Sequence, residues 1–192
     1  MDVEPSSSSA RLFVGLTLPA DARAALAAGV GALGAALPKG ARVVPAERFH
    51  VTVRFLGATE RSAISDLSGA LGVALRGAHA PRFDGAHLIG LPQPRRAHVV
   101  AYELAGGDLE LGSVARRVDD ALASLGFARE TRALRAHVTV ARFRQRTDLG
   151  TLVGRAARLA PFVADELVLF ESELGPHGPT YSPRASYRLD AP

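Results

Sequence analysis

The sequence predicts an α+β fold: two pseudo-symmetric lobes with mainly antiparallel sheets, flanked by helices, with an active-site groove between them. Three observations predict it. The string His-Val-Thr-Val occurs twice, at 50–53 and 137–140, with its histidines 87 residues apart. The apolar segment before each copy recurs at nearly the same offset, RLFVGLTL at 11–18 and AHVVAYEL at 97–104. Strand-like and helix-like segments then follow in the same order in both halves, the mark of an internal duplication.

Taken in order, an acidic, Ser-rich opening (MDVEPSSSSA, 1–10) is too polar to bury a folded surface and is expected to be a disordered tail. A single bilobal domain is expected over 11–192, its first half at about 11–92 and its second at about 96–190. In the first half a strand at 11–18 leads to an Ala/Leu-rich helix at about 20–36, interrupted by Gly29, Gly31 and Gly34. The motif strand follows, then a helix at 60–76 and a strand at 83–91. The second half repeats this, with a strand at 97–104 and a helix at 108–125. That helix spaces Leu111, Val114, Val118, Ala121, Leu122 and Leu125 at helical intervals and stops at Gly126. Its motif strand is followed by a helix at 147–159 and strands at 162–174 and 180–189. Short strands at 41–45 and 129–134 are expected to pair with the motif strands as hairpins. Pro92 and Pro94 mark the joint as a turn, so the lobes should share an interface.

Composition narrows the function. A chain of 192 residues, 47% hydrophobic and 22% charged, has the balance of a soluble globular protein. No apolar run approaches the ~20 residues of a membrane span, and the N-terminus lacks the pattern of a signal peptide, so a cytoplasmic protein with no membrane partner is expected. The absence of cysteine removes disulfides, thiolate catalysis and Cys-ligated zinc. The net charge is +4, and all but Lys39 of the 23 basic residues are arginine. Arginine over lysine matches the chain's bias toward Ala and Gly, while the positive sign agrees with an anionic substrate.

In an extended strand, side chains two apart share a face, about 6.6–6.8 Å apart. Each motif copy therefore sets an imidazole beside a hydroxyl, His50 with Thr52 and His137 with Thr139, and turns its valines into the core. Two imidazoles can divide acid–base work, one accepting a proton while the other donates, because imidazole titrates near neutral pH. That suits displacement at phosphorus, with the threonine hydroxyls donating to the non-bridging oxygens. Arg54 lies on the face of His50 by strand parity. Arg142 lies off the face of His137 unless a bulge intervenes. Metal catalysis fits poorly, since neither motif holds a carboxylate and zinc sites normally gather three or four ligands. No cofactor is expected. No Gly-x-Ser-x-Gly elbow or phosphate-cradling Gly-x-x-x-x-Gly-Lys occurs. His79, His87, His98 and His177 lack a threonine two places on and read as ordinary surface or strand residues. Phe49 and Phe55 should point into the core, leaving Tyr181 as a candidate to stack a base.

The paired motifs, their separation and the duplicated halves resemble the two-histidine phosphoesterase superfamily. Within it the chain is similar to the bacterial RNA 2′,3′-cyclic phosphodiesterases, also called 2′-5′ RNA ligase-like proteins. RLFVGLTLP, ERFHVTVRFLG, PRRAHVVAYEL, AHVTVARF and ESELGPHGPTYSP carry the resemblance from Arg11 onward. It implies hydrolysis of RNA-terminal 2′,3′-cyclic phosphate to a 2′-phosphate without metal. His50 would be the proton donor, His137 the proton acceptor, and Thr52 and Thr139 the phosphate-holding hydroxyls, with Arg54 and Arg142 as further substrate-binding candidates. Val53 and Val140 replace the family's more usual Leu, and Ala136 its frequent Pro. The expected partner is RNA with 2′,3′-cyclic phosphate ends, or a small cyclic nucleotide, bound by a monomer. Two other readings stand beside this one: 2′-5′ ligation, the reverse reaction in the same fold, and a protein that binds RNA ends without turnover.

Overall fold

In the computed structural model residues 8–176 and 178–192 are described. Among them ten strands and three α-helices are formed: β1 (Ser9–Thr17), α1 (Ala20–Leu33), β2 (Arg42–Val43), β3 (His50–Glu60), α2 (Ile64–Ala74), β4 (Arg82–Phe83), β5 (Gly85–Leu91), β6 (Ala97–Ala105), α3 (Asp108–Ser124), β7 (His137–Thr147), β8 (Phe162–Val163), β9 (Glu166–Gly175) and β10 (Gly178–Arg188). Eight strands make one antiparallel sheet in the order β10-β9-β1-β3-β7-β6-β5, with β2 added to β7. The two motif strands are its central neighbours. They meet at one paired position, Val51 opposite Val138. On one side stand β10, β9, β1 and β3; on the other β7, β6, β5 and β2. The expected α+β architecture is present, with an exchange the duplication does not reveal. The closing strand of each half crosses over, β5 pairing with β6 and β9 with β1. Each side is thus completed by the other half of the chain, and β4 with β8 forms a further link between halves.

One continuous core lies beneath. The motif valines Val51, Val53, Val138 and Val140 are buried together with Leu26 of α1, Leu67 and Leu71 of α2, and Leu111, Val114 and Val118 of α3. Spacings of three and four residues on each helix present one apolar stripe to the sheet. Gly29 has a packing reason. A Cβ there would lie 2.6 Å from the hydroxyl of Tyr102, which is buried on β6. Gly→Ala normally favours a helix by about 1 kcal/mol. Here Gly29→Ala should instead destabilise by about 1–3 kcal/mol, the usual cost of overpacking. A thermal melt should show Tm falling by several degrees, and Tyr102→Phe in the same chain should recover most of the loss. An unchanged Tm for Gly29→Ala would show that Tyr102 yields freely.

Four segments differ from the sequence expectations. Residues 147–159 form no helix, only a turn at 150–154. Their backbone is taken up by the edge of β5: Gly154 N–H donates to the Leu88 carbonyl, Leu88 N–H to that of Arg155, and Ala157 N–H to that of Ala86, at 2.8, 2.9 and 2.9 Å. Residues 129–134 form no strand, because the Glu130 carboxylate accepts the N–H groups of Thr131 and Arg132, both at 3.1 Å, and folds the segment around itself. The 41–45 strand exists as β2, but pairs with the motif strand of the other half, Arg42 opposite Arg142. At the N-terminus β1 already begins at Ser9, so the polar opening ends earlier than expected. The rest of that segment, residues 1–7, lies outside the described residues. Among the described residues no helix is long and apolar enough to cross a membrane.

Candidate active site

The Val51–Val138 pair fixes the geometry of the site. An antiparallel register through it sets His50 across from Thr139 and Thr52 across from His137, so like residues are diagonal about a pseudo-twofold axis. All four side chains emerge on the face opposite the buried valines, with neighbouring strands about 4.8 Å apart. The two histidines do not confront each other across two separate sheets. They share one face of two adjoining strands and line one cavity of about 390 Å³ with Thr52, Thr139 and Arg142.

Both imidazoles are oriented in the same way. His50 Nδ1 lies 2.8 Å from the Arg48 carbonyl, and His137 Nδ1 2.8 Å from the Arg135 carbonyl. A carbonyl only accepts, so Nδ1 carries the proton in each ring and Nε2 is left to exchange one. His50 Nε2 already sits 3.1 Å from the Thr52 hydroxyl. These carbonyls are residues that the histidine–threonine pattern misses, although a signal was present: the repeat extends backward to Arg48-x-His50 and Arg135-x-His137.

Their surroundings differ. His50 is packed against the rings of Phe13, at 4.9 Å, and Tyr181, edge-on at 5.2 Å. Gly15 on β1 lies behind it, where an added Cβ would come within 3.4 Å of the imidazole and 3.1 Å of the Val51 carbonyl. Burial therefore pushes the His50 pKa below its ordinary value. The Arg48 carbonyl opposes this, and the charges of Arg142 and His137 reinforce it. His137 instead stands across from Glu103 of β6. That carboxylate is held below its usual range by a hydrogen bond from Arg135 (Nε to Oε1, 2.7 Å), and His87 Nε2 approaches its other oxygen at 3.3 Å.

A bulge at the same point of each motif strand decides which arginine reaches the site. The β1–β3 register slips at Val53 and the β6–β7 register slips at Val140, one residue past each threonine. The extra residue inverts strand parity beyond it. Arg142 consequently joins the cavity lining, as a bulge would require. Arg54, assigned to the same face by simple alternation, is turned away into a cluster of acids. It lies 3.0 Å from Glu130 and 3.5 Å from Asp119 of α3, and also donates to the Ala128 carbonyl. Hydrogen bonds from Arg132 hold the Glu130 pKa at about 2, so this partner stays ionised at any working pH. Arg54 ties β3 to α3 and the loop after it, and the structure does not bring it to the histidines. Phe55 takes the place on the site face. Expected in the core, it is 61% exposed, whereas Phe49 is buried as expected.

Tyr181 of β10 enters the cavity wall beside Phe13, with Arg11 of β1 at its rim. His79 is engaged away from the site by the Ala191 carbonyl, and His87 by the Glu103 carboxylate that stands across from His137; His177 lies outside the described residues. Among the described residues no group of three or more His, Cys, Asp or Glu converges as a metal site would require.

Comparisons with known proteins agree with this fold. The model of the LigT-like phosphoesterase family matches residues 16–99 and 107–181. An RNA 2′,3′-cyclic phosphodiesterase of Aeropyrum pernix is 33% identical over 115 residues, which are 58% of this chain and 62% of that protein's length. Among solved structures, TT0787 of Thermus thermophilus superposes with a TM-score of 0.79 over 94% of this chain and 98% of its own, at 20% identity. Escherichia coli LigT complexed with 3′-AMP superposes with a TM-score of 0.74, with the same coverages and identity. The chain belongs to the LigT-like phosphoesterase family.

Proposed function

We propose that this protein hydrolyses the 2′,3′-cyclic phosphate at an RNA end to a 2′-phosphate, with paired histidines as acid and base and no metal ion. The observation that carries the proposal is the diagonal histidine pair, each ring pinned at Nδ1 by a carbonyl and presenting Nε2 to the same cavity. His137 removes a proton from water as the water oxygen bonds to phosphorus. The bond from phosphorus to the 3′ oxygen breaks, and His50 delivers a proton to that oxygen. Thr52 and Thr139 donate to the non-bridging oxygens, and Arg142 balances the charge they gather in the transition state. Threonine hydroxyls are poor metal ligands but good donors to phosphate, which favours acid–base over metal chemistry here. The activity named for the Aeropyrum pernix relative, and the 3′-AMP in the Escherichia coli LigT complex, support the substrate class.

The test is incubation of an oligonucleotide bearing a 2′,3′-cyclic phosphate with the protein in excess EDTA, followed by identification of the terminus. A 2′-phosphate is expected. A 3′-phosphate, or turnover only after divalent metal is restored, would contradict the mechanism.

A further inference from the structure

The duplicated site is asymmetric at one pair of positions, and the asymmetry gives the substrate a direction. Phe55 and Arg142 stand at the same offset as the two histidines, and the paired bulges bring each to the site face. One side of the histidine pair therefore offers a cation and the other an aromatic ring. On the aromatic side lies a second cavity, larger than the first at about 580 Å³, bounded by α3 and the segment before His137. Phe55, Thr52, Leu91 and His137 line both cavities, so the two are continuous.

The lining of this groove has the chemistry of a nucleotide site. Its apolar part comes from Phe55, Val53, Leu91, Ala115 and Leu134. Five arginines border it against two carboxylates, Asp119 and Glu130. Arg129, Arg132 and Arg135 are paired with Asp119, Asp120, Glu130 or Glu103. Arg116 on α3 is exposed and, among the described residues, belongs to no ion pair. The volume falls within the roughly 300–1,000 Å³ of small-ligand sites. A flat apolar face with an unneutralised cation at its rim is complementary to a stacked base and its phosphate.

We propose that this groove is the subsite for the nucleotide preceding the cyclic-phosphate terminus, with Phe55 as its stacking face and Arg116 meeting the connecting phosphodiester. The inference rests on the hydrolytic reading above. It makes a strand of two or more nucleotides the preferred substrate over a mononucleotide.

The experiment compares a dinucleotide 2′,3′-cyclic phosphate with the corresponding nucleoside 2′,3′-cyclic phosphate. Wild-type kcat/KM should favour the dinucleotide by about tenfold or more, the scale of one stacked base. Arg116→Ala should lower the dinucleotide value about three- to tenfold through KM while leaving the mononucleotide within twofold. Phe55→Ala should reduce the preference similarly, and Phe55→Trp should keep it. Equal kcat/KM for both substrates in the wild type, or a preference that survives both alanine substitutions, would overturn the subsite while leaving the hydrolytic activity in place. Absence of turnover with both substrates would overturn the activity and the subsite together.

Discussion

Replacing either His50 or His137 by alanine should lower kcat on a 2′,3′-cyclic phosphate by about 10²–10⁴-fold, the usual contribution of a positioned acid or base. The effect should fall mainly on kcat, because in the proposed mechanism Thr52, Thr139 and Arg142 would still hold the phosphate. The pH profile should separate the two. A general acid must be protonated, so its limb falls as pH rises through its pKa; a base must be neutral, so its limb rises. His50→Ala should remove the falling limb and His137→Ala the rising one. In the His137→Ala variant, where only the acid titrates, the remaining falling limb should lie on the acid side of the ordinary histidine value of 6.5, because burial and the charge of Arg142 lower the His50 pKa. Adding Arg142→Gln to that variant removes this charge and should shift the limb to higher pH. A shift to lower pH, or retention of most of the rate in both alanine variants, would contradict the shared site.

Much of this site is legible in the sequence because strand alternation is local. His-Val-Thr-Val needs only an extended backbone to place the imidazole and hydroxyl on one face, and the duplication supplies the second copy. The limits of legibility are equally specific. Arg54 and Arg142 exchange their expected positions because each motif strand bulges one residue past its threonine. The bulged residues, Val53 and Val140, are ordinary strand formers that carry no sign of an irregularity. Simple alternation sends Phe55 to the core, and the same slip exposes it. The crossing of β5 and β9 between the two sides is a long-range pairing, which no local pattern encodes. At 147–159 an Ala/Leu pattern resembles a helix, yet the edge of β5 takes the backbone hydrogen bonds that a helix would need. The motif thus survives translation into three dimensions where it depends on neighbours in the chain. It fails where tertiary pairing decides.

The assignment of donor and acceptor to two related histidines calls for a test that symmetry cannot mimic. His50 and His137 make the same Nδ1 contact to a carbonyl two residues before them, so ring geometry alone does not distinguish them. Their neighbours do: His50 is enclosed by Phe13 and Tyr181, while His137 faces Glu103. A buried imidazolium gives up its proton readily, as a donor should. An acceptor gathers positive charge as it takes the proton from water, and the Glu103 carboxylate stands across from His137. A diester whose leaving group is p-nitrophenolate departs as a stable anion and has little need of an acid. On such a substrate His50→Ala should retain activity within about tenfold of wild type, whereas His137→Ala should still lose about 10²–10⁴-fold, since water must be deprotonated in either case. The opposite outcome, rescue of His137→Ala with His50→Ala inactive, would exchange the two roles. Equal loss in both variants would mean that the proton on the leaving group is not supplied by His50. Glu103→Gln sharpens the distinction, because it removes the charge beside His137 and leaves the surroundings of His50 unchanged. It should therefore lower the rate on the cyclic phosphate and the p-nitrophenyl ester alike, as expected of a group acting through the base.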